Sequence, residues 1–227
     1  VDFLAKLVAA DVADTDQRHM PFVVRSVPQI PDRSRAIIKG GESPLPALRH
    51  GMRALVAMGA TAVAIPCNTA HHWAEALTAP DLPPILHIVD AVADHLARTL
   101  PGGGPVAVLS TEGTRAARVY ENRLDPERWP ILEAEAAAVA AVGHGITLVK
   151  AGRIEAARTI FTEAVAAARA RGAAAVVLAC TEIPTALPPG DGIVDATQAL
   201  AERCVRWHRE TCLGFAPADP ASWRAAS

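Results

Sequence analysis

Two stretches of sequence decide the predicted fold: GATAVAIPCNT at residues 59–69 and GAAAVVLACTE at residues 172–182. In each stretch a glycine ends a helical pattern, seven residues suited to a strand follow, and a cysteine stands where the strand ends. These cysteines are Cys67 and Cys180, and polar residues follow both. Matches of Ala and Val are common in so Ala-rich a chain, but the equal distance from glycine to cysteine indicates an internal duplication.

The rest of the chain alternates in the same way between Val- and Ile-rich runs and Ala-rich helical stretches. This alternation predicts βαβ units, in which helices cover both faces of a parallel sheet. The predicted strands are 22–27, 60–65, 85–88, 106–109, 131–134, 173–178 and 192–194. The predicted helices lie near 1–13, 44–58, 69–78, 90–99, 113–123, 135–150, 153–171 and 196–210.

A linker composition, PGGGP at residues 101–105, divides the chain into two halves of nearly equal length. The expected fold is therefore α/β with two pseudo-symmetric lobes, each a mainly parallel sheet flanked by helices. We expect residues 1–100 and 195–227 to form an N-terminal lobe that carries Cys67. Residues 101–194 are expected to form a C-terminal lobe that carries Cys180.

Composition excludes several classes of function. Of the 227 residues, 51% are hydrophobic and 20% are charged, which suits a sizeable buried core. Basic and acidic residues number 22 and 24, a balance that favours neither nucleic acid nor a membrane surface as partner. Four cysteines do not make a disulfide scaffold and favour a reducing, cytoplasmic setting. No segment reaches the roughly 18 uncharged apolar residues of a membrane helix.

The position of the two cysteines predicts their chemistry. Ligands of open parallel sheets bind beyond the carboxyl ends of the strands, and a helix N-terminus there stabilises a thiolate. One thiolate and one thiol on opposite sides of a cleft can invert a carbon centre by removing a proton from one face and returning one to the other. Two alternatives stay open: each cysteine can be a small buried hydrophobic residue, or the pair can form the disulfide of a redox sensor.

The residues that follow the strands are suited to holding an amino acid. Asn68, Thr69 and Thr181 offer amide and hydroxyl groups beside backbone N–H donors, which suit a carboxylate. The turn after 106–109 offers Thr111 and Thr114 in the same way, although it can also be a plain helix cap.

Four segments resemble a known family. PCNTAH at residues 66–71 and CTEI at residues 180–183 resemble the two signatures of the aspartate/glutamate racemase superfamily. PQIPDR at residues 28–33 and VKAG at residues 149–152 resemble its aspartate racemase branch in particular. The resemblance implies a two-lobed homodimeric enzyme that interconverts L- and D-aspartate, or glutamate, with neither pyridoxal phosphate nor a metal.

The resemblance also implies a role for each matching residue, with Cys67 and Cys180 as the two bases. The implied substrate-binding residues are Arg33, Asn68, Thr69, Ala70, Thr111, Thr114, Lys150, Thr181 and Glu182. Within this set, Arg33 and Lys150 clamp the distal carboxylate of the substrate. The residues themselves are also consistent with a loop arginine, a solvated lysine at a helix end and, for Glu182, either a turn cap or a partner that sets the protonation of Cys180.

The start of the sequence departs from the family pattern. Family members begin with a strand and a Gly-rich turn, whereas residues 1–7 already have a helical pattern. We therefore expect the first strand to be missing, and with it a loop that lines the active site of relatives. Other reactions of the superfamily stay open, namely hydantoin racemisation, maleate isomerisation and malonate decarboxylation, as does a catalytically silent amino-acid-binding protein.

Overall fold

A computed structural model describes residues 2–212 as two parallel sheets flanked by helices. Strands β1 (Val63–Ala64) and β2 (Ile85–Leu86) form the first sheet. The second sheet has the order β3 (Val106–Ser110), β4 (Ala175–Ala179), β5 (Ile193–Asp195), with both pairs parallel. The α/β class with parallel sheets is confirmed.

The helices connect and cover these strands. Within the described chain they are α1 (Asp2–Ala10), α2 (Arg33–Lys39), α3 (Leu45–Ala57), α4 (Ile88–Thr99), α5 (Glu112–Ala116), α6 (Ala136–Lys150), α7 (Ile154–Ala170), α8 (Ile183–Ala186) and α9 (Ala196–Cys212). Short 3₁₀ helices lie at Asp16–Arg18, Asn68–Trp73 and Glu75–Leu77. No helix within residues 2–212 has both the length and the apolar character needed to cross a membrane.

Strand β4 lies at the centre of the core and is buried along its whole length. Since successive side chains of a strand point to opposite faces, Val177 and Ala179 pack with α4 and α9, whereas Val176 and Leu178 pack with α6, α7 and α8. A separate small cluster, which includes Met52 and lies around β1, is formed beside them. Burial on both faces explains why 173–178 is continuously apolar in sequence.

Two predicted strands differ in the structure. Residues 22–27 are not part of a sheet in the described chain, and Phe22, Val23 and Val24 are 48%, 38% and 50% exposed. Their β-branched and aromatic pattern fits a pleated surface only where a partner strand is present. Within the predicted strand 131–134, only Ile131 pairs with a strand, through an isolated parallel β-bridge to Val106 of β3.

Helical predictions also need correction at four places, one of which is the short helix α8, which was not predicted. The predicted helix 69–78 consists of 3₁₀ turns, and 113–123 is helical only over α5. Arg118 adopts a left-handed backbone with φ of 52° just after α5, a conformation that interrupts a right-handed helix. Helix α2 was not predicted. The side chain of Asp32 begins it by accepting a 2.7 Å hydrogen bond from Arg35 N, and Gly40 ends it with φ of 60°.

The predicted lobe boundaries stay a prediction. Helix α9, which falls in the predicted N-terminal lobe, packs against α1 and α4. It also contributes Leu200 to the core on one face of β4. Residues 213–227, the end of the predicted N-terminal lobe, lie outside the described residues.

Candidate active site

Both predicted catalytic cysteines lie beyond the carboxyl ends of parallel strands. Cys67 follows β1 after two residues and precedes the 3₁₀ turn Asn68–Trp73 with an extended backbone. Cys180 follows β4 directly. Both are free thiols; Cys67 is partly exposed and Cys180 is 6% exposed. The two thiols therefore come from different sheets.

Cys180 is held in its protonated form. Its Sγ donates a hydrogen bond of 3.0 Å to Oε2 of Glu182. Burial raises the pKa of Cys180 well above its usual value, and the negative charge of Glu182 and then that of Cys67 raise it further.

Glu182 is the ionised partner of this thiol. Thr181 Oγ1 also donates to its Oε2, at 3.0 Å, and Lys150 Nζ lies 3.7 Å from its Oε1. Burial by itself raises the pKa of Glu182, but the hydrogen bond from Cys180, the charge of Lys150 and the hydrogen bond from Thr181 outweigh burial and lower the pKa. The Glu182 side chain makes no capping bond at the start of α8.

The two residues of the predicted carboxylate clamp have different surroundings. Lys150 is the last residue of α6 and contacts Glu182 with a side chain that is 58% exposed. Arg33 is the first residue of α2, and its Nη1 donates to the carbonyls of Ile30 and Pro31 at 3.2 and 3.1 Å. Of the two, only Lys150 forms an ion pair or hydrogen bond with another predicted site residue in the described chain.

Three predicted threonines form one hydrogen-bonded cluster. Thr69 Oγ1 lies 2.9 Å from Thr111 Oγ1 and 2.8 Å from Thr114 Oγ1, and the latter two are 3.0 Å apart. Thr111 also accepts from the Thr114 backbone N–H as the N-cap of α5. Thr69 and Thr114 are buried, whereas Thr111 is partly exposed. The cluster joins the turn after β1 to the helix after β3.

Helix α2 packs against α5 at Gly113, the residue next to Thr114 of this cluster. A Cβ at Gly113 would lie 2.5 Å from Ser34 Oγ and 2.7 Å from Ser34 Cα, so α2 can approach α5 only because position 113 has no side chain. Arg33 precedes Ser34, and Thr114 follows Gly113. Their close packing brings the start of α2 to the same end of the molecule as the threonine cluster.

Asn68 is joined to Tyr120, a residue that the sequence analysis missed. Tyr120 OH donates to Asn68 Oδ1 at 2.7 Å, and both residues are buried. Burial raises the pKa of the Tyr120 phenol, and the charges of Asp195 and Cys180 raise it further. The available signal was that this is the chain's single tyrosine, whose hydroxyl needs a partner when buried.

His71 and Ala70 hold the turn that carries Cys67. The Ala70 N–H donates to the Cys67 carbonyl at 3.1 Å, and His71 Nδ1 donates to the same oxygen at 3.0 Å. His71 Nε2 accepts from the Ile88 N–H at 3.2 Å, which ties the turn to the start of α4. Burial lowers the pKa of His71 to about 4, so the ring is neutral at pH 7.

This arrangement offers a thiol and a second sulfur on two sheets, together with hydroxyl and amide groups for a small polar ligand. Within residues 2–212 no three His, Cys, Asp or Glu side chains are grouped so as to hold a metal ion.

Comparison with known proteins identifies the fold and the family. The aspartate racemase of Picrophilus torridus superposes with a TM-score of 0.78 at 27% identity, over 91% of this chain and 87% of that one. An aspartate racemase homologue from Pyrococcus horikoshii superposes with a TM-score of 0.72 at 19% identity, over 91% and 92% of the two chains.

Glutamate racemase from Campylobacter jejuni gives a TM-score of 0.57 at 20% identity, over 92% of this chain and 80% of that one. The structure therefore has the two-lobed fold of these racemases. The model of the Asp/Glu/hydantoin racemase family matches residues 1–204. With nine-tenths of its length matched, the chain belongs to the Asp/Glu/hydantoin racemase family.

Proposed function

We propose that the chain is a cofactor-independent racemase that interconverts L- and D-aspartate, or glutamate, with Cys67 and Cys180 as its two bases. The observation that carries this proposal is the pair of free cysteines beyond the ends of strands in different sheets, one of which, Cys180, donates a hydrogen bond to Glu182. Membership of the family supports an isomerase acting on a small amino acid.

The proposed reaction moves two protons and needs no oxidant. The thiolate on one side takes the Cα proton, and the electron pair of the C–H bond stays on the substrate as a carbanion conjugated with its carboxylate. The thiol on the other side gives its proton to the opposite face of Cα and becomes the thiolate. The product has inverted configuration, and the two sulfurs have exchanged protonation states.

The electrostatics of Cys180 support an order of events. Because the pKa of Cys180 is raised and its Sγ donates to Glu182, the resting molecule carries Cys180 as the thiol. The direction in which Cys180 is the proton donor therefore matches the resting form of that thiol. In the opposite direction, Cys180 has to lose its proton beside the Glu182 carboxylate, and Lys150 offsets part of that charge.

The proposed substrate contacts come from the residues around the sulfurs. Asn68, Thr69, Ala70, Thr111, Thr114, Thr181 and Glu182 are proposed to surround the α-carboxylate and amine. Arg33 and Lys150 are proposed to bind the distal carboxylate, since a planar guanidinium and an ammonium together can compensate one anionic group. This assignment makes a dicarboxylic amino acid the preferred substrate class.

Isotope exchange tests the proposal. In D2O, each enantiomer of aspartate or glutamate is expected to gain deuterium at Cα while optical rotation declines to zero. The variants C67A and C180A are expected to lose roughly 10²–10⁴-fold in rate. C204A is the matched control, because Cys204 is also a free cysteine, is buried, and lies on α9 away from both strand ends. Full retention of the α-hydrogen with both amino acids, or normal turnover by C67A, contradicts the proposal.

A substrate panel separates the other reactions of the family. Hydantoins, maleate and malonate are offered under the same conditions as the two amino acids. Turnover of one of these compounds, with neither aspartate nor glutamate exchanging its α-hydrogen, would replace the proposed substrate while leaving the scaffold unchanged.

A homodimer is the proposed assembly. The exposed apolar side chains of Phe22, Val23 and Val24, and those of Val8 and Val12 at 58% and 77% exposure, support burial of apolar surface against a second copy. Sedimentation equilibrium is expected to give twice the chain mass of 23.7 kDa. A monomer at all concentrations contradicts this part of the proposal.

A further inference from the structure

We propose that Tyr120 is a positioning residue that holds the Asn68 amide with its NH2 group turned toward the substrate. The inference rests on the proposed function, because it concerns how the same site binds a carboxylate. Tyr120 touches neither reacting sulfur through a hydrogen bond in the described chain, and its phenol acts through Asn68.

The hydrogen bond fixes which end of the amide faces which way. Tyr120 OH donates to Asn68 Oδ1 at 2.7 Å. In the opposite amide orientation, Nδ2 would face the phenol and the phenolic hydrogen would have no acceptor among the described residues. Leaving a buried donor unpaired is costly, so the tyrosine hydroxyl favours the orientation with Oδ1 toward the phenol and Nδ2 away from it.

The other end of the Asn68 amide is an unpaired hydrogen-bond donor in the described chain. Asn68 is 3% exposed, and its Nδ2 is a buried donor without a hydrogen-bond partner in the described chain. Buried polar groups are nearly always paired, so an unpaired donor beside the candidate catalytic Cys67 indicates a partner that arrives with the ligand. A carboxylate supplies an acceptor of the required sign, whereas an amide oxygen turned the same way would repel it.

The phenol is bonded to the turn that follows Cys67. Its hydroxyl contacts Asn68, which follows Cys67, and the charges of Cys180 and Asp195 both act on it. Tyr120 comes from the turns after α5, 52 residues from Asn68. Its ring is fully buried, so Y120F keeps the packing and removes only the hydroxyl.

A double-mutant cycle in Y120F, N68A and Y120F/N68A tests the inference, with aspartate affinity measured by calorimetry and racemisation measured in parallel. Y120F is expected to weaken aspartate binding and raise KM by roughly tenfold, with kcat changed less than threefold. In the N68A background the same substitution is expected to change affinity less than twofold, because a positioning residue has nothing left to position. Thermal unfolding confirms that each variant is folded.

T147V is the matched control, because the Thr147 hydroxyl donates to the Gly143 carbonyl within α6 and has no other hydrogen bond among the described residues. Its effect on affinity is expected to be negligible with or without Asn68. Equal losses from Y120F in both backgrounds, or no loss in either, would overturn the inference even if the wild-type chain racemises aspartate. Coupled losses in binding uphold it even if isotope exchange is absent and the proposed reaction fails. No binding of aspartate or glutamate by the wild-type chain overturns both.

Discussion

Mild acid is expected to destabilise the protein because His71 is buried in its neutral form. Burial lowers the pKa of His71 from 6.5 to about 4, and both ring nitrogens are occupied, by the Cys67 carbonyl and the Ile88 N–H. Protonation would put a charge in the core and remove the acceptor that Ile88 needs. The unfolded chain has no such constraint and takes up the proton near pH 6.5.

The magnitude follows from proton linkage. Between pH 6.5 and 4 the unfolded state binds more protons than the folded state, so stability falls as the pH falls. For a pKa of about 4 against 6.5, the free energy of unfolding drops by about 2 kcal/mol between pH 7 and pH 5. His87, whose ring centroid lies 4.4 Å from that of His71, acts in the same direction, since burial and the charge of His71 lower its pKa to about 3.

Urea unfolding of wild type, H71Q and H72Q at pH 7 and pH 5 measures this effect. H71Q is expected to lose about 2 kcal/mol less than wild type over that interval. H72Q, at the exposed neighbouring histidine, is expected to lose as much as wild type. An NMR titration of the wild-type His71 ring provides a second readout. Identical losses in all three proteins, or a His71 ring that titrates near pH 6.5, would refute the reasoning.

Three further substitutions test the charge beside Cys180, the packing of α2 on α5, and the packing of the core. E182Q removes the carboxylate beside the thiol and is expected to lower the pKa of Cys180, seen by mass spectrometry as alkylation of Cys180 at lower pH than in wild type; an unchanged profile contradicts the assigned role of Glu182. G113A forces a Cβ to within 2.5 Å of Ser34 and is expected to cost about 1–3 kcal/mol in urea unfolding, so wild-type stability would argue against a close approach of α2. F161A empties a fully buried position and is expected to cost about 3–5 kcal/mol, and a loss below about 1 kcal/mol would be inconsistent with the described core.

The features that depend on neighbouring residues in the chain were predictable from sequence. The apolar run before Cys180 identified β4, because a strand buried on both faces is continuously apolar. The same rule placed Cys180 at the strand end. Glu182 is two residues further on, and the sequence left it open between a turn cap and a partner for that thiol; the structure has the hydrogen bond to Cys180 and no capping bond.

The features that depend on distant residues were not predictable in this way. Tyr120 contacts Asn68 across 52 residues, and no local pattern distinguishes it from an ordinary core aromatic. Thr69 meets Thr111 across 42 residues, so chemical type indicated both, but only the fold shows that their hydroxyls bond each other. Residues 22–27 have the composition of a strand but no partner strand in the described chain. The composition of a segment does not show whether a partner strand lies beside it.

For the proposed racemisation, thermodynamics limits what the unequal surroundings of the two sulfurs can achieve. Mirror-image amino acids have equal free energies in water, so the equilibrium constant is one and kcat/KM must be identical for the two enantiomers. The bond from Cys180 to Glu182 can therefore make one enantiomer bind more tightly and turn over more slowly than the other. It cannot shift the equilibrium toward the L or the D enantiomer. A net production of one enantiomer requires another reaction that consumes that enantiomer as it forms.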